Sequence, residues 1–146
     1  MSQCYLDANF LVFLKNENAP QHREVLTKLA NLIKRKVYIF VSPLVIDEFI
    51  HAMLFSVKRR AKFDKEIFNL KNALKEILDL PFLRIIGTPI DSNSQLMILD
   101  IMIKYDLKPR DSYHLLIMLA NSIDTFATFD TDFKKVFASK LILPLD

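Results

Sequence analysis

The sequence predicts an α/β fold of three layers, a mainly parallel central sheet of four to five strands with helices on both faces. Three observations carry that expectation. Short β-branched and aromatic runs alternate with segments of helical period from one end of the chain to the other. The connections between them are short, with no Gly- or Ser-rich linker and no repeat, so residues 1–146 read as a single domain. Apolar residues make up 51% of the chain against 25% charged, the balance of a sequence that buries a core.

Tyr5 and Leu6 belong to a short apolar run that ends on Asp7, a buried strand, and Asn9 then opens the stretch Phe10 to Leu14 of a short helix. Gln21 to Lys36 reads as an amphipathic helix, with Val25, Leu26, Leu29, Leu32 and Ile33 at helical spacing. Val37 to Val41 is β-branched and aromatic throughout, a second buried strand. Ser42-Pro43 offers a capping hydroxyl followed by proline at the first helical position. The helix behind it runs to Phe55 and is apolar on most faces, interrupted by Asp47, Glu48 and His51. An acid among such neighbours is costly to bury without a partner.

Phe63, Ile67, Leu70, Leu74, Ile77 and Leu78 form another helical stripe, which suits core packing and a partner-facing role equally. Pro81 stops it before a third, short strand, Leu83 to Ile86. Asp91 or Ser92 caps the next helix, which runs to about Tyr105. Pro109 announces a further helix through Ala120, with Asp111 in its first turn. Thr125 to Phe129 is a fourth strand ending on Asp130, Phe133 to Phe137 a short helix, and Leu141 to Leu145 a last strand.

Composition excludes several classes of function. Cys4 is the only cysteine, so there is no disulfide framework and no thiolate zinc site; it reads as a small buried residue of the first strand. The single glycine, Gly87, excludes both the P-loop and the dinucleotide fingerprint. No signal-peptide pattern opens the chain and no apolar run approaches the roughly 18 to 20 residues of a membrane span, so the expected location is cytoplasmic. Lys and Arg outnumber Asp and Glu by 20 to 17, a net charge of +3 that permits a polyanionic partner. Twelve Phe and a mean hydropathy of +0.19 imply more apolar surface than one small core absorbs, and hence a face for self-association.

Each strand-to-helix passage expected at the carboxyl edge of the sheet, where open α/β sheets bind ligands, holds an acid. Asp7 follows the first strand, Glu48 lies in the helix after the second, Asp111 opens a helix and Asp130 follows the fourth strand. Two of them also have a plain structural reading: Asp7 can cap the following turn, and Asp111 is favoured by the helix dipole. Gathered without interleaved bases, four carboxylates repel one another and make sense around a hard divalent cation, Mg²⁺ or Mn²⁺. His22, His51 and His114 are scattered, and the last two read as packed helix residues. The basic run Lys58 to Lys62 reads as a solvated helix end or as an RNA contact.

Four segments in order resemble the PIN-domain ribonuclease family, and within it the VapC-like toxins of toxin–antitoxin pairs. They are Tyr5-Leu6-Asp7-Ala8-Asn9-Phe10-Leu11-Val12, Ser42-Pro43-Leu44-Val45-Ile46-Asp47-Glu48, Pro109-Arg110-Asp111-Ser112-Tyr113-His114-Leu115 and Thr128-Phe129-Asp130-Thr131-Asp132-Phe133. The resemblance covers essentially the whole chain. It implies a PIN-like fold, a Mg²⁺- or Mn²⁺-dependent endoribonuclease acting on single-stranded RNA, an antitoxin protein as partner and a homodimer. By it Asp7, Glu48, Asp111 and Asp130 map to the metal-binding and catalytic acids, Asn9 and Thr128 to the positions that orient them, and Asp132 to an accessory acid. Where the family often has small residues after the third acid, this chain has Leu115, Leu116 and Ile117, which implies a repacked central helix.

Such chemistry needs no nucleophilic side chain, because a cation held by the acids makes water the nucleophile and eases departure of the 3′ oxygen. Arg59, Arg60, Lys104, Lys108 and Arg110 are candidates for holding flanking phosphates. Tyr113 reads as a buried residue or as a stacking platform for a base. Two rivals differ in class. Aspartyl-phosphate phosphatases want a second acid where Asn9 stands. A non-catalytic PIN-fold module binding RNA or protein would keep the acids only as helix caps.

Overall fold

β1 (Gln3–Leu6) takes the middle of a five-stranded, wholly parallel sheet ordered β3-β2-β1-β4-β5. The computed structural model of the protein describes residues 2–55 and 63–146. Cys4, Tyr5 and Leu6 have no exposed surface, as a strand paired on both edges and covered on both faces requires. The flanking strands are β2 (Tyr38–Val41), β3 (Leu83–Ile85), β4 (Thr125–Ala127) and β5 (Leu143–Pro144). Cys4 is in register with Ile39 on one side and Thr125 on the other.

The helices fill the connections: α1 (Ala8–Lys15), α2 (His22–Lys34), α3 (Pro43–Leu54), α4 (Phe63–Leu78), α5 (Ser92–Tyr105), α6 (Pro109–Ala120) and α7 (Lys134–Ala138). α1 packs on α2 and α3, and α5 packs on α6. Starts follow the sequence signals. Asp91 is the N-cap of α5, accepting from the Ser94 N–H, and Ser42 caps α3 through the Val45 N–H, with Pro43 at the first position.

Two strands are shorter by two residues or more than the sequence suggests. β4 ends at Ala127 because the next residues turn away to bond with side chains of the cleft described below. β5 is an edge strand in which Pro144 sits between the two N–H donors that pair with β4, those of Leu143 and Leu145.

The core joins Tyr5, Phe10, Phe49, Phe126 and Phe133 with Leu115, Leu116 and Ile117 of α6, so the large residues of that helix are accommodated by full burial. Cys4 is buried as expected, and burial pushes its thiol up to about 12. No helix among the described residues is long and apolar enough to cross a membrane. The basic run with Arg59 and Arg60 lies outside the described residues. The strand order reverses between β1 and β4, and the crevice opens where those two strands end.

Candidate active site

Asp7 stands one residue past β1, and its N–H still extends the ladder to the Ala127 carbonyl at 3.0 Å. One carboxylate oxygen accepts from the Ala8 N–H at 2.8 Å and so caps α1. The other accepts from the Thr128 hydroxyl at 2.6 Å. Burial, with Glu48 adding to it, holds the Asp7 carboxyl above the usual carboxylate range; the Thr128 bond, His114 and the Ala8 N–H work against the rise. The same Thr128 oxygen accepts from the Asp130 N–H at 3.0 Å, and the Asn9 amide oxygen accepts from the Phe129 N–H at 3.3 Å. These side-chain bonds replace the sheet ladder and turn Asp130 into the crevice.

Glu48 lies on α3 and is bonded by the Nε2–H of His114 from α6. Behind it runs a buried relay. His114 Nδ1 is 2.9 Å from the Tyr5 hydroxyl, which is 2.6 Å from the Ser42 hydroxyl, which accepts from the Val45 N–H at 3.2 Å. The Val45 N–H can only donate and an ionised Glu48 can only accept. With His114 as the tautomer protonated on Nε2, a chain of donors runs from Val45 through Ser42, Tyr5 and His114 to Glu48. Burial raises the Tyr5 phenol well above its ordinary value, so it stays a donor. The mid-helix acids of α3 are resolved in two ways: Asp47 is exposed, and Glu48 has this partner.

Asp111 sits in the first turn of α6, half-buried. Burial, and next the charge of Asp130, push its carboxyl up to about 6, with His114 pulling the other way. Carboxylate oxygens of Asp111, Asp130 and Asp132 lie within 4.8 Å of one another, and so do the ligating atoms of Asp7, Glu48 and His114. The Asp132 N–H donates to Asp130 at 2.9 Å.

Asp7, Asn9, Glu48, Asp111 and Asp130 line one cleft of about 340 Å³, together with His51 and Arg110. Among the described residues no Lys or Arg makes an ion pair with any of these acids. The donor set is mainly oxygen and, among the described residues, has no paired Lys or Arg. Burial first, with neighbouring acids adding to it, holds two of its carboxyls above their usual range, which fits a hard divalent cation.

The candidates for phosphate contact divide. Arg110 lines the cleft. Lys104 is at the far end of α5 with its ammonium over the Tyr105 ring, and Lys108 is the residue before α6; neither lines the cleft. His51 is exposed at the cleft wall, not packed as expected. His114 is buried as expected, but as the hydrogen-bond partner of a cleft acid. Both histidines carried a signal that sequence reading passed over. Glu48 and His51, and Asp111 and His114, are three residues apart on a helix, and that spacing puts a histidine on the acid's own face.

A family model described as PIN domain matches residues 4–137. The chain belongs to the PIN-domain family. Solved structures with the same fold include VapC20 of Mycobacterium tuberculosis, a sarcin–ricin loop cleaving toxin. It is 17% identical with a TM-score of 0.65, over 92% of this chain and 95% of that one. VapBC2 of Rickettsia felis, bound to a DNA fragment from their promoter, is 19% identical with a TM-score of 0.68, over 98% of both chains. FitAcB of Neisseria gonorrhoeae is 17% identical with a TM-score of 0.64, over 99% of this chain and 97% of that one. No curated protein matches the chain. At such identities the likeness carries the fold of this PIN domain, and the chemistry must be argued from its own cleft.

Proposed function

We propose that this PIN domain is a Mg²⁺- or Mn²⁺-dependent endoribonuclease that cuts single-stranded RNA, the toxin of a toxin–antitoxin pair. The observation that carries the reading is the gathering of Asp7, Glu48, Asp111 and Asp130 around one cleft with no Lys or Arg among the described residues paired to them. Among the described residues the cleft lining has no hydroxyl, thiol or amine, and with a cation on the acids water is the nucleophile this reading assigns. A divalent cation on these acids supplies activation of that water and charge neutralisation at the scissile phosphate. Thr128 and the Ala8 N–H hold Asp7, His114 holds Glu48 and the Asp132 N–H holds Asp130, so three of the four acids are presented in fixed positions. Arg110, at the cleft wall, would orient a neighbouring phosphate.

The toxin role draws support from the likeness to VapC20 and to the VapBC2 and FitAcB structures. Homodimerisation draws support from α5, where Leu96, Leu99 and Ile103 lie along one face at 64%, 58% and 83% exposure. One observation favours a non-catalytic binding module: Asp7 does cap α1. Incubation of the purified protein with unstructured RNA, in Mg²⁺, in Mn²⁺ and in EDTA, separates the two. The nuclease cuts only with the cation; a module leaves the RNA whole in all three and shows no Mn²⁺ heat by calorimetry.

A further inference from the structure

Beside the acidic cleft lies a second cavity of about 490 Å³, and Arg110 lines both. We infer that this second cavity is a subsite for one unpaired nucleobase of the RNA, next to the scissile phosphate. The inference rests on the ribonuclease reading above. The cavity is walled by Leu44 at the start of α3, by Pro89 and Ile90 of the β3–α5 loop, and by Gln95 and Tyr113. Its size is within the range of small-molecule sites, and its walls have the make-up of such sites, mostly apolar with a few fixed polar groups.

Besides the Thr88 and Tyr113 hydroxyls the cavity walls hold the Gln95 amide, whose orientation is determined. Its nitrogen donates to the Pro89 carbonyl at 2.8 Å and its oxygen accepts from the Tyr113 hydroxyl at 2.7 Å. A carbonyl can only accept, so the amide cannot be turned over. One N–H and one acceptor site remain on it, the complement of the mixed donor and acceptor edge that a nucleobase presents once it is unpaired. The apolar side chain of a docked protein would use the walls but leave that amide without a partner.

Arg110 joins this cavity to the acids. It makes no ion pair among the described residues, so its fork is available to a phosphate. With the scissile phosphate on the acids and the next phosphate on that fork, the nucleoside between them lies beside the cavity. A base still stacked in a duplex could not enter, which accords with single-stranded substrate.

The test has two arms. In the first, a randomised single-stranded RNA pool is cut in Mn²⁺ and the cut positions are sequenced. Wild type should prefer one base, or purine over pyrimidine, at a nucleotide bordering the cut. Gln95→Leu, which keeps volume, and Tyr113→Phe, which keeps the ring but frees the amide, should flatten that one position and leave the others. Tyr113→Ala should raise KM by roughly five- to a hundredfold if the ring stacks on the base. An unchanged cut profile in both conservative variants overturns the subsite.

The second arm needs no variant and no cleavage. Single-stranded tetranucleotides titrated into wild type in EDTA should shift the backbone amide resonances of residues 88–95 and 110–113 saturably; silence there overturns the subsite. Shifts with no cleavage in any cation would sink the ribonuclease reading and keep the base site. Cleavage with silence in the cavity would do the reverse.

Discussion

Asp111→Asn removes one charge from the cleft and keeps the side chain's shape. The oxygens of Asp111, Asp130 and Asp132 lie within 4.8 Å of one another. Two unit charges at about that separation repel by ~0.9 kcal/mol in water and by ~3.5 kcal/mol at an effective dielectric of about 20. Against this, an acid in the first turn of α6 gains about 0.3–1 kcal/mol from the helix dipole.

The pH dependence has a definite sign. Burial and Asp130 push Asp111 from 3.8 up to about 6, so between those values the folded protein binds more protons than the unfolded chain. Metal-free stability therefore falls as pH rises from about 4 to about 6. Full desolvation would make that loss about 3 kcal/mol. Asp111 is only half-buried, and solvent screening brings it to about 1 kcal/mol, or ~2–4 °C in Tm for a chain of this size. Asp111→Asn should therefore melt in EDTA at pH 7 at the wild-type temperature or up to ~4 °C above it, and lose part of the decline with pH. Saturating Mn²⁺ should raise the Tm of wild type more than that of the variant. Scanning calorimetry of both proteins at pH 4.5 and 7, with and without Mn²⁺, gives the answer. A variant less stable in EDTA, beside a wild type indifferent to Mn²⁺, would make Asp111 a helix-end residue and refute the cation site.

Three further outcomes are expected. His114→Leu leaves the Tyr5 hydroxyl and Glu48 without their shared partner and should cost about 1–3 kcal/mol in urea unfolding; it should also weaken Mn²⁺ binding by calorimetry, and unchanged affinity would confine His114 to the core. Lys36 has φ 56°, in the left-handed region, and Lys36→Gly should stabilise by up to ~1 kcal/mol, the relieved strain less glycine's entropy. Leu99→Arg with Ile103→Arg should convert a dimer to a monomer by light scattering, and a wild type already monomeric at high concentration would refute that use of α5.

Much of this was legible in the chain because the signals are local. Alternation of strand and helix, Ser42-Pro43 and Asp91 as starts, and Pro81 as a stop all depend on a few neighbouring residues. The acids were legible because Asp7 and Asp130 follow strand runs, Glu48 interrupts the apolar helix after the second strand and Asp111 stands just behind the helix-starting Pro109. What escaped depends on long-range contact. Nothing near Thr128 in sequence says that its hydroxyl will bond to Asp7, 121 residues away, and it is that bond that cuts β4 short. His114 looked like a packing residue because burial and hydrogen bonding to an acid are not exclusive, and Tyr5 and Ser42, its supports, come from two other elements. Lys104 was indistinguishable by charge from Arg110, yet only the latter lies at the cleft.

The most direct measurement is the end chemistry of RNA cut by the protein, with wild type in Mn²⁺, wild type in EDTA and Asp7→Asn run side by side. Attack by water with departure of the 3′ oxygen gives fragments with 5′-phosphate and 3′-hydroxyl ends, formed by wild type in Mn²⁺ and by neither of the others. Fragments with 2′,3′-cyclic phosphate ends, appearing equally in EDTA and with Asp7→Asn, would contradict a cation-dependent cleft built on these acids.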